Sequence, residues 1–310
     1  MNAATRIRLS AELSLARLGL VLIPALPRRA VLGLARVLGA CGYAVCRTPR
    51  RIAFANLDLA FGPNMSRARK AAIVRASFRV FSLVILDFFW FTRRTRERLD
   101  AWVDFGPMVL DRLRIGPAIA VTAHLGNWEV MGQAAARHGC EVVSVVMPVR
   151  NPAIDTLVNR IRTQTGQRTA ARSGAMRTAL RTLRGGGVVA FVMDQNTKPA
   201  EGGTFVSFFG QPAAASLGAA MLSARTAAPI NPLYCVPVTG GRYRAYAGEP
   251  ILPQTFGGNE EAITQAILGA LEQAIRDNPE CWLWMYRRWK YFAPGVPPSN
   301  FPFYAHPIPP

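Results

Sequence analysis

From Pro117 onward the chain alternates short apolar runs with helix-like segments, and this alternation limits what it can fold into more than any other feature. Strand-like runs are AIAVTAH (118–124), EVVSVVMPV (141–149), VVAFVMDQ (188–195), FVSFFG (205–210) and INPLYCVPV (230–238). Helix-like runs fall at 128–138, 151–165, 174–184, 216–227 and 259–277. Strands that take turns with helices predict an α/β fold: a central, mostly parallel or mixed sheet flanked by helices, with chemistry at the strand ends. With half of its 310 residues apolar, the chain can build a large core.

The first hundred residues have a different texture. Leu9 to Leu26 is mostly apolar but broken by Glu12, Arg17 and Pro24, and AVLGLARVLGACGYAVC (30–46) carries Arg36 inside it. Neither reaches the ~20 clean apolar residues of a spanning helix. Their flanking arginines suit helices that lie in a membrane interface with guanidinium groups reaching lipid phosphates; two ordinary buried helices are the alternative. Residues 1–48 are therefore expected to be an N-terminal membrane-associated helical segment, 49–293 the enzymatic domain, and the Pro-rich 294–310 a surface arm. Ser66 is placed to cap the long helical run that follows it.

Charge points the same way. The net charge is +19, and residues 1–100 hold 18 of the 37 basic residues but 5 of the 18 acidic ones. Such an end suits an anionic surface: phospholipid headgroups, an acidic carrier protein or nucleic acid. Only Lys70, Lys198 and Lys290 are lysines, so the charge is almost all arginine, which suits bidentate contacts to phosphate or carboxylate. The five cysteines form no CxxC pair and read as reduced thiols.

The candidate chemistry lies in VTAHLGNWEV (121–130). In one continuous helix His124 and Glu129 would sit about 140° apart. Gly126 permits a sharp turn, Asn127 can cap a new helix, and Glu129 then falls in its first turn. That geometry could return the carboxylate to the imidazole, so that His124 takes a proton from a hydroxyl while Glu129 fixes its tautomer. A polar strand end with a glutamate favouring the helix dipole is the plainer alternative. The other histidines, His138 and His306, fall on an expected helix and in the tail, no HExxH occurs, and Walker and GxGxxG signatures are missing. No metal and no nucleotide cofactor is expected.

These segments together resemble the lipid A biosynthesis acyltransferases, the lauroyl- and myristoyl-transferase branch of the HxxxxD/E glycerolipid-type acyltransferases. HLGNWE is the HxxxxE form of the shared motif. RRIAFANLDLAFG (50–62), MPVRNPAIDTLVNRIRTQTG (147–166), MDQNTKPAEGGTFVSFFGQPAAAS (193–216) and NPECWLWMYRRWK (278–290) are similar to further blocks of that branch, in order over roughly residues 50–290. The resemblance implies a glycerolipid acyltransferase-like fold at the cytoplasmic face of the inner membrane. It implies transfer of a fatty acyl chain from acyl carrier protein, or from coenzyme A, to a hydroxyl of a lipid A precursor. The same chemistry on a phosphatidylinositol mannoside, lysophospholipid or other membrane lipid is the alternative.

In that setting His124 would be the general base and Glu129 its orienting acid. Arg150 is expected near the oxyanion or a substrate phosphate, or else as a surface charge flanking a helix. Asn151 and Asp155 would cap and brace the helix after it, and Arg160 would bind a phosphate or face solvent. Asn127 and Arg287 are further candidate substrate contacts. Asp194 and Gln195 end an apolar strand, where they would anchor an acceptor hydroxyl or brace the site. Trp282, Trp284 and Trp289, interleaved with Arg287, Arg288 and Lys290, have the make-up of an interfacial belt. The same mixture can stack on single-stranded nucleic acid, but long apolar runs interrupt the basic residues and no recognition motif is present. A nucleic-acid partner is therefore not expected.

Overall fold

In the computed structural model, which describes residues 3–293 and 295–308, four helices precede the first strand: α1 (Ala3–Leu22), α2 (Arg28–Val45), α3 (Arg47–Phe61) and α4 (Arg67–Trp90). Ser66 caps α4 by accepting from the Arg69 amide at 3.2 Å. The short α5 (Thr95–Trp102) then leads into β1 (Val103–Phe105) and α6 (Val109–Arg114). The alternating part follows as β2 (Ala118–Thr122), α7 (Trp128–Arg137), β3 (Val142–Val146), α8 (Pro152–Arg162), β4 (Arg168–Ala171), α9 (Ala175–Arg184) and β5 (Val188–Val192). A hairpin of β6 (Gly203–Phe208) and β7 (Gln211–Ser216) comes next, then α10 (Gly218–Thr226), β8 (Ile230–Pro237), β9 (Tyr243–Ala247) and α11 (Glu260–Asp277). Two short strands, β10 (Tyr291–Phe292) and β11 (His306–Pro307), close the chain.

Seven strands form the central sheet in the order β1-β9-β8-β2-β5-β3-β4. All pairs are parallel except β8 with β9. The helical crossovers between parallel strands put apolar layers on both sides, so β2 is buried at all five residues, and β3 and β5 at their first two. FVSFFG departs from the sequence expectation: it supplies most of β6 and the turn of an antiparallel hairpin outside the central sheet. Phe209 takes a positive φ at its tip.

The two sheet faces carry different cores. On one, Val130, Met131 and Ala134 of α7 pack with Val31 and Ala35 of α2 and with Leu99 of α5. On the other, Ala179 and Leu183 of α9 join α10, α11, the hairpin and the three C-terminal tryptophans. Helix α2 lies close on α4, and a Cβ at Gly39 would come within 2.6 Å of the Arg79 Cα, so only glycine fits there. Buried Arg28 clamps the same helix. It pairs with both oxygens of Asp87 on α4 and donates to the Gly241 carbonyl at 2.6 Å, while the Tyr243 hydroxyl donates to Asp87 at 2.5 Å.

Two expectations need correction. Trp282, Trp284 and Trp289 are all but fully buried and form no interfacial belt: Trp282 and Trp284 meet edge-on, and all three pack against Phe208 or Phe209. Interleaved cations do not mark a surface when each ring has an aromatic neighbour to pack on. Nor is the C-terminal tail a free arm, although Pro294, Pro309 and Pro310 lie outside the described residues. Phe301 stacks on Phe292, and the buried Tyr304 hydroxyl donates to Asn56 on α3.

Among the described residues no single helix is long and apolar enough to cross a membrane, although α2 and the helix after it pass together as a pair bent by 89°. Several large apolar side chains of α1 and α2 are nonetheless exposed: Ile7, Leu15, Leu18 and Val21, with Val37 and Val45.

Candidate active site

The site follows from strand register. Strand β2 pairs with β5 in parallel, Thr122 opposite Val192, and continuing both strands by two residues sets His124 opposite Asp194. Both chains bend there at the carboxyl edge of the sheet. The His124 Nδ1 lies 2.8 Å from Asp194 Oδ1, and the His124 amide donates to Asp194 Oδ2 at 3.0 Å. That oxygen also accepts the Trp282 indole N–H at 2.8 Å. With Nδ1 donating to the carboxylate, the free Nε2 lone pair faces the Gln195 side-chain amide 3.3 Å away.

The turn after His124 is built for this placement. Gly126 has φ +64°, and a Cβ there would stand 2.0 Å from the Cys235 carbonyl oxygen. Main-chain bonds pin the turn on both sides: Gly126 donates to Cys281, Asn127 donates to Cys235, and Leu283 donates to His124. Asn127 is buried and caps α7 through its Oδ1, which accepts from Val130 at 3.1 Å. The cap reading of Asn127 is thus observed, and its side chain turns away from the cavity around the histidine.

Glu129 lies in the first turn of α7, as its position implied, but its carboxylate does not bond to the imidazole. Arg162 at the end of α8 takes it instead in a two-pronged contact, with Nε at 2.8 Å and Nη2 at 2.5 Å. The expected His124–Glu129 hydrogen bond is replaced by His124–Asp194. The physical reason is reach: the parallel register already delivers a carboxylate to Nδ1, and Glu129 finds a permanent cation across the same cavity. Sequence reading missed Arg162 and favoured Arg150 and Arg160. Both of those are exposed, and neither lines the cavity. The available signal was helical phase, since Arg162 is seven residues from Asp155 and so shares its side of α8. Asp155 itself braces the β3–α8 turn, accepting from the Val149 amide at 2.8 Å, and Asn151 caps α8 while donating to Leu9 and Glu12 of α1. Arg287 is exposed, and its carbonyl accepts from Asn196.

The electrostatics match this arrangement. Burial disfavours a charged imidazole, but the charge and hydrogen bond of Asp194, helped by Glu129, outweigh it and hold His124 above the ordinary histidine pKa; Arg162 opposes. Burial pushes Asp194 up, yet His124 and the donated N–H groups of Trp282 and of the His124 backbone bring it below the usual carboxylate value. Burial works against the Arg162 guanidinium, and Glu129 more than restores it.

Two cavities meet at this edge. One, about 310 Å³, holds His124, Trp128, Glu129, Arg162 and Gln195. The second, about 410 Å³, lies toward α9 and α10 and is lined by apolar groups that include Met176, Met221 and Leu222. Val145, Val146, Met147, Phe191, Val192 and Gln195 border both. A wider depression of about 770 Å³ near Asn64 and Arg276 contains none of these groups. A hydroxyl at Nε2 could lose its proton to His124, beside an apolar chamber and a fixed guanidinium.

The family model for bacterial lipid A biosynthesis acyltransferases matches residues 3–291. The lipid A biosynthesis myristoyltransferase of Escherichia coli (strain K12) is 24% identical over 283 residues, covering 89% of this chain and 85% of its own. The crystal structure of the 1-acyl-sn-glycerophosphate acyltransferase PlsC from Thermotoga maritima overlaps 81% of this chain and 97% of its own, at 15% identity and a TM-score of 0.38.

Proposed function

The chain belongs to the bacterial lipid A biosynthesis acyltransferase family, an O-acyltransferase acting on a lipid, and on that premise we propose a direct, one-step transfer run by His124 and Asp194. The acceptor is a hydroxyl of a lipid A precursor, and the donor is a fatty acyl thioester of acyl carrier protein or coenzyme A. The observation that carries this reading is the 2.8 Å contact of His124 Nδ1 with Asp194, which leaves Nε2 as the basic nitrogen of an imidazole that lines the cavity.

The acceptor hydroxyl takes the place of the Gln195 amide at Nε2 and gives up its proton as its oxygen bonds to the thioester carbonyl carbon. Asp194 keeps the imidazole in one tautomer and stabilises the imidazolium. The carbonyl π electrons move onto oxygen, and Arg162, which lines the same cavity and is held by Glu129, supplies the cation for that developing charge. Collapse expels the thiolate, which takes the proton from Nε2. No acyl-enzyme forms, because the substrate supplies the nucleophile. The acyl chain lies along the side of the 410 Å³ cavity that Met176, Met221 and Leu222 line, and the acceptor approaches from the α7–α8 side, where α8 also meets α1 through Asn151. The exposed apolar side chains of α1 and α2, set among Arg6, Arg8, Arg17, Arg29 and Arg36, suit contact with the cytoplasmic face of the inner membrane.

The test is transfer of a labelled acyl group from acyl carrier protein to a Kdo-bearing lipid A precursor in detergent. Wild-type transfer that His124→Ala reduces by a factor on the order of 10²–10⁴ supports both base and acceptor. Transfer that survives His124→Ala rejects the base. Transfer to another membrane lipid alone rejects the acceptor and keeps the chemistry.

A further inference from the structure

Helix α9 has two unlike sides. Ala175, Met176 and Ala179 turn inward to line the apolar cavity. Arg177, Arg181 and Arg184 stand exposed on the outer side. At spacings of four and seven residues they share one stripe about 10 Å long. Among the described residues none of the three side chains has an ion-pair or hydrogen-bond partner.

The stripe is locally unfavourable. Arg177 puts a cation in the first turn, where the helix dipole favours anions, and Arg177 and Arg181 are like charges four apart. The dipole accounts for Arg181 and Arg184 in the last turn but not for Arg177. Exposed as they are, the three guanidinium groups are balanced by water and counterions, which an anionic partner would displace.

We propose that this stripe is the docking surface for the donor, an acidic carrier protein that presents its acyl chain as a thioester on a phosphopantetheine arm. This rests on the acyl-transfer reading above. The arm has an entry beside the stripe: Arg172, just before α9, lines the cavity and is held by long contacts of 3.3 Å to Thr197 and to the Glu201 carbonyl. Both contacts use Nη2, which leaves the other guanidinium nitrogens to meet the phosphodiester of the arm. A bilayer fits this surface poorly. Helix α9 has no exposed large apolar side chain, whereas α1 and α2 have many, and α2 packs on the opposite face of the sheet. A nucleotide fits it poorly as well, because the stripe is convex and the cavity lies on the other side of the helix. The two substrates then reach His124 from opposite faces of one sheet, lipid from the α1–α8 side and thioester from the α9 side.

The experiment compares wild type with the triple variant Arg177→Glu/Arg181→Glu/Arg184→Glu, using acyl carrier protein thioester and acyl-pantetheine as donors. The expected result is a KM for the carrier donor raised at least tenfold, kcat unchanged at saturation, and acyl-pantetheine kinetics unaltered. Lysine at all three positions should restore most of the carrier KM. Equal effects on both donors, or no effect on either, overturn the proposal. Binding of holo-carrier protein, measured directly, separates this proposal from the reaction. If wild type transfers from no donor, the acyl-transfer reading fails, and binding lost in the glutamate variant still supports the surface. No binding by wild type overturns it. Reduced binding to phosphatidylglycerol vesicles with carrier use intact assigns the stripe to the membrane and overturns it too.

Discussion

Asp87 and Asp194 are both buried carboxylates, and their neighbours give them opposite uses. Asp87 faces Arg28, a cation that never releases its proton, and the Tyr243 hydroxyl fills the remaining oxygen valence. Burial holds its pKa above the usual carboxylate value against the pull of Arg28, with aromatic rings of Trp90 and Trp102 stacked over the guanidinium. Asp194 faces an imidazole that can take up and release a proton and has its second nitrogen open to a cavity. The first cluster fastens α2 to α4 and β9. The second holds a base at the carboxyl edge of the sheet. A buried acid is thus chemical or structural according to whether its partner titrates and can reach a substrate.

The strongest way to break the comparison is to neutralise each acid. Asp194→Asn should lower kcat by a factor on the order of 10²–10⁴, because the amide permits the wrong tautomer. The pH profile gives the sign. Catalysis needs neutral His124, so activity falls as pH drops through its raised pKa. Without the Asp194 charge that pKa falls, and the acidic limb of kcat/KM should move to lower pH. A limb that stays in place would show that Asp194 does not set the imidazole's basicity. Asp87→Asn should act on folding instead. It leaves Arg28 buried without a counter-charge, at a cost of about 3–5 kcal/mol in denaturant unfolding. Turnover per folded molecule should stay near wild type, and a loss of kcat without loss of stability would contradict the division of roles.

The sequence made much of this legible, for identifiable reasons. The helices at 128–138, 151–165, 174–184, 216–227 and 259–277 are all found within a few residues, because each joins apolar periodicity to a stop signal. Strand β4 went unread because RTAA is short and polar, and β7 because Pro212 and three alanines give no strand signature. His124, Asp194 and Gln195 were visible one at a time as polar groups ending apolar runs. Their contact was not, since 70 residues separate His124 from Asp194 and only the β2–β5 register joins them. Proximity in sequence pointed to Glu129, and the fold used distance. The tryptophans misled for a related reason: composition shows aromatic and basic residues together, but not which of them face inward.

Glu129→Gln sharpens the contrast between the two acids of the site. The substitution keeps size and removes one charge from the Arg162 pair. A hydrogen bond to a charged group contributes about 1.5–3 kcal/mol, so kcat should fall roughly 10- to 100-fold as Arg162 loses its anchor. The acidic limb should move in the same direction as in Asp194→Asn but less, since Glu129 supports the imidazolium only through space. A limb shift as large as that of Asp194→Asn would make Glu129 an equal partner of the base.

The smallest expected effect tests how finely Asp194 is held. Trp282→Phe keeps an aromatic ring against Trp284 and Phe208 but deletes the N–H that Asp194 Oδ2 accepts at 2.8 Å. Asp194 then retains the His124 amide and imidazole as donors, and its charge is less spread. A carboxylate with fewer donors is more basic and attracts the imidazolium more strongly, so the acidic limb should move up, opposite to Asp194→Asn. Turnover should fall about tenfold, the worth of one bond to a charged acceptor. KM should change little, because Trp282 lines neither cavity. A ring that served packing alone would leave the limb where it is, so an unmoved limb with normal kcat would reduce Trp282 to core. A limb displaced upward would make the indole a positioning residue that acts on the base through Asp194. The buried C-terminal segment would then be part of the catalytic apparatus, unlike the equally buried Arg28–Asp87 clamp.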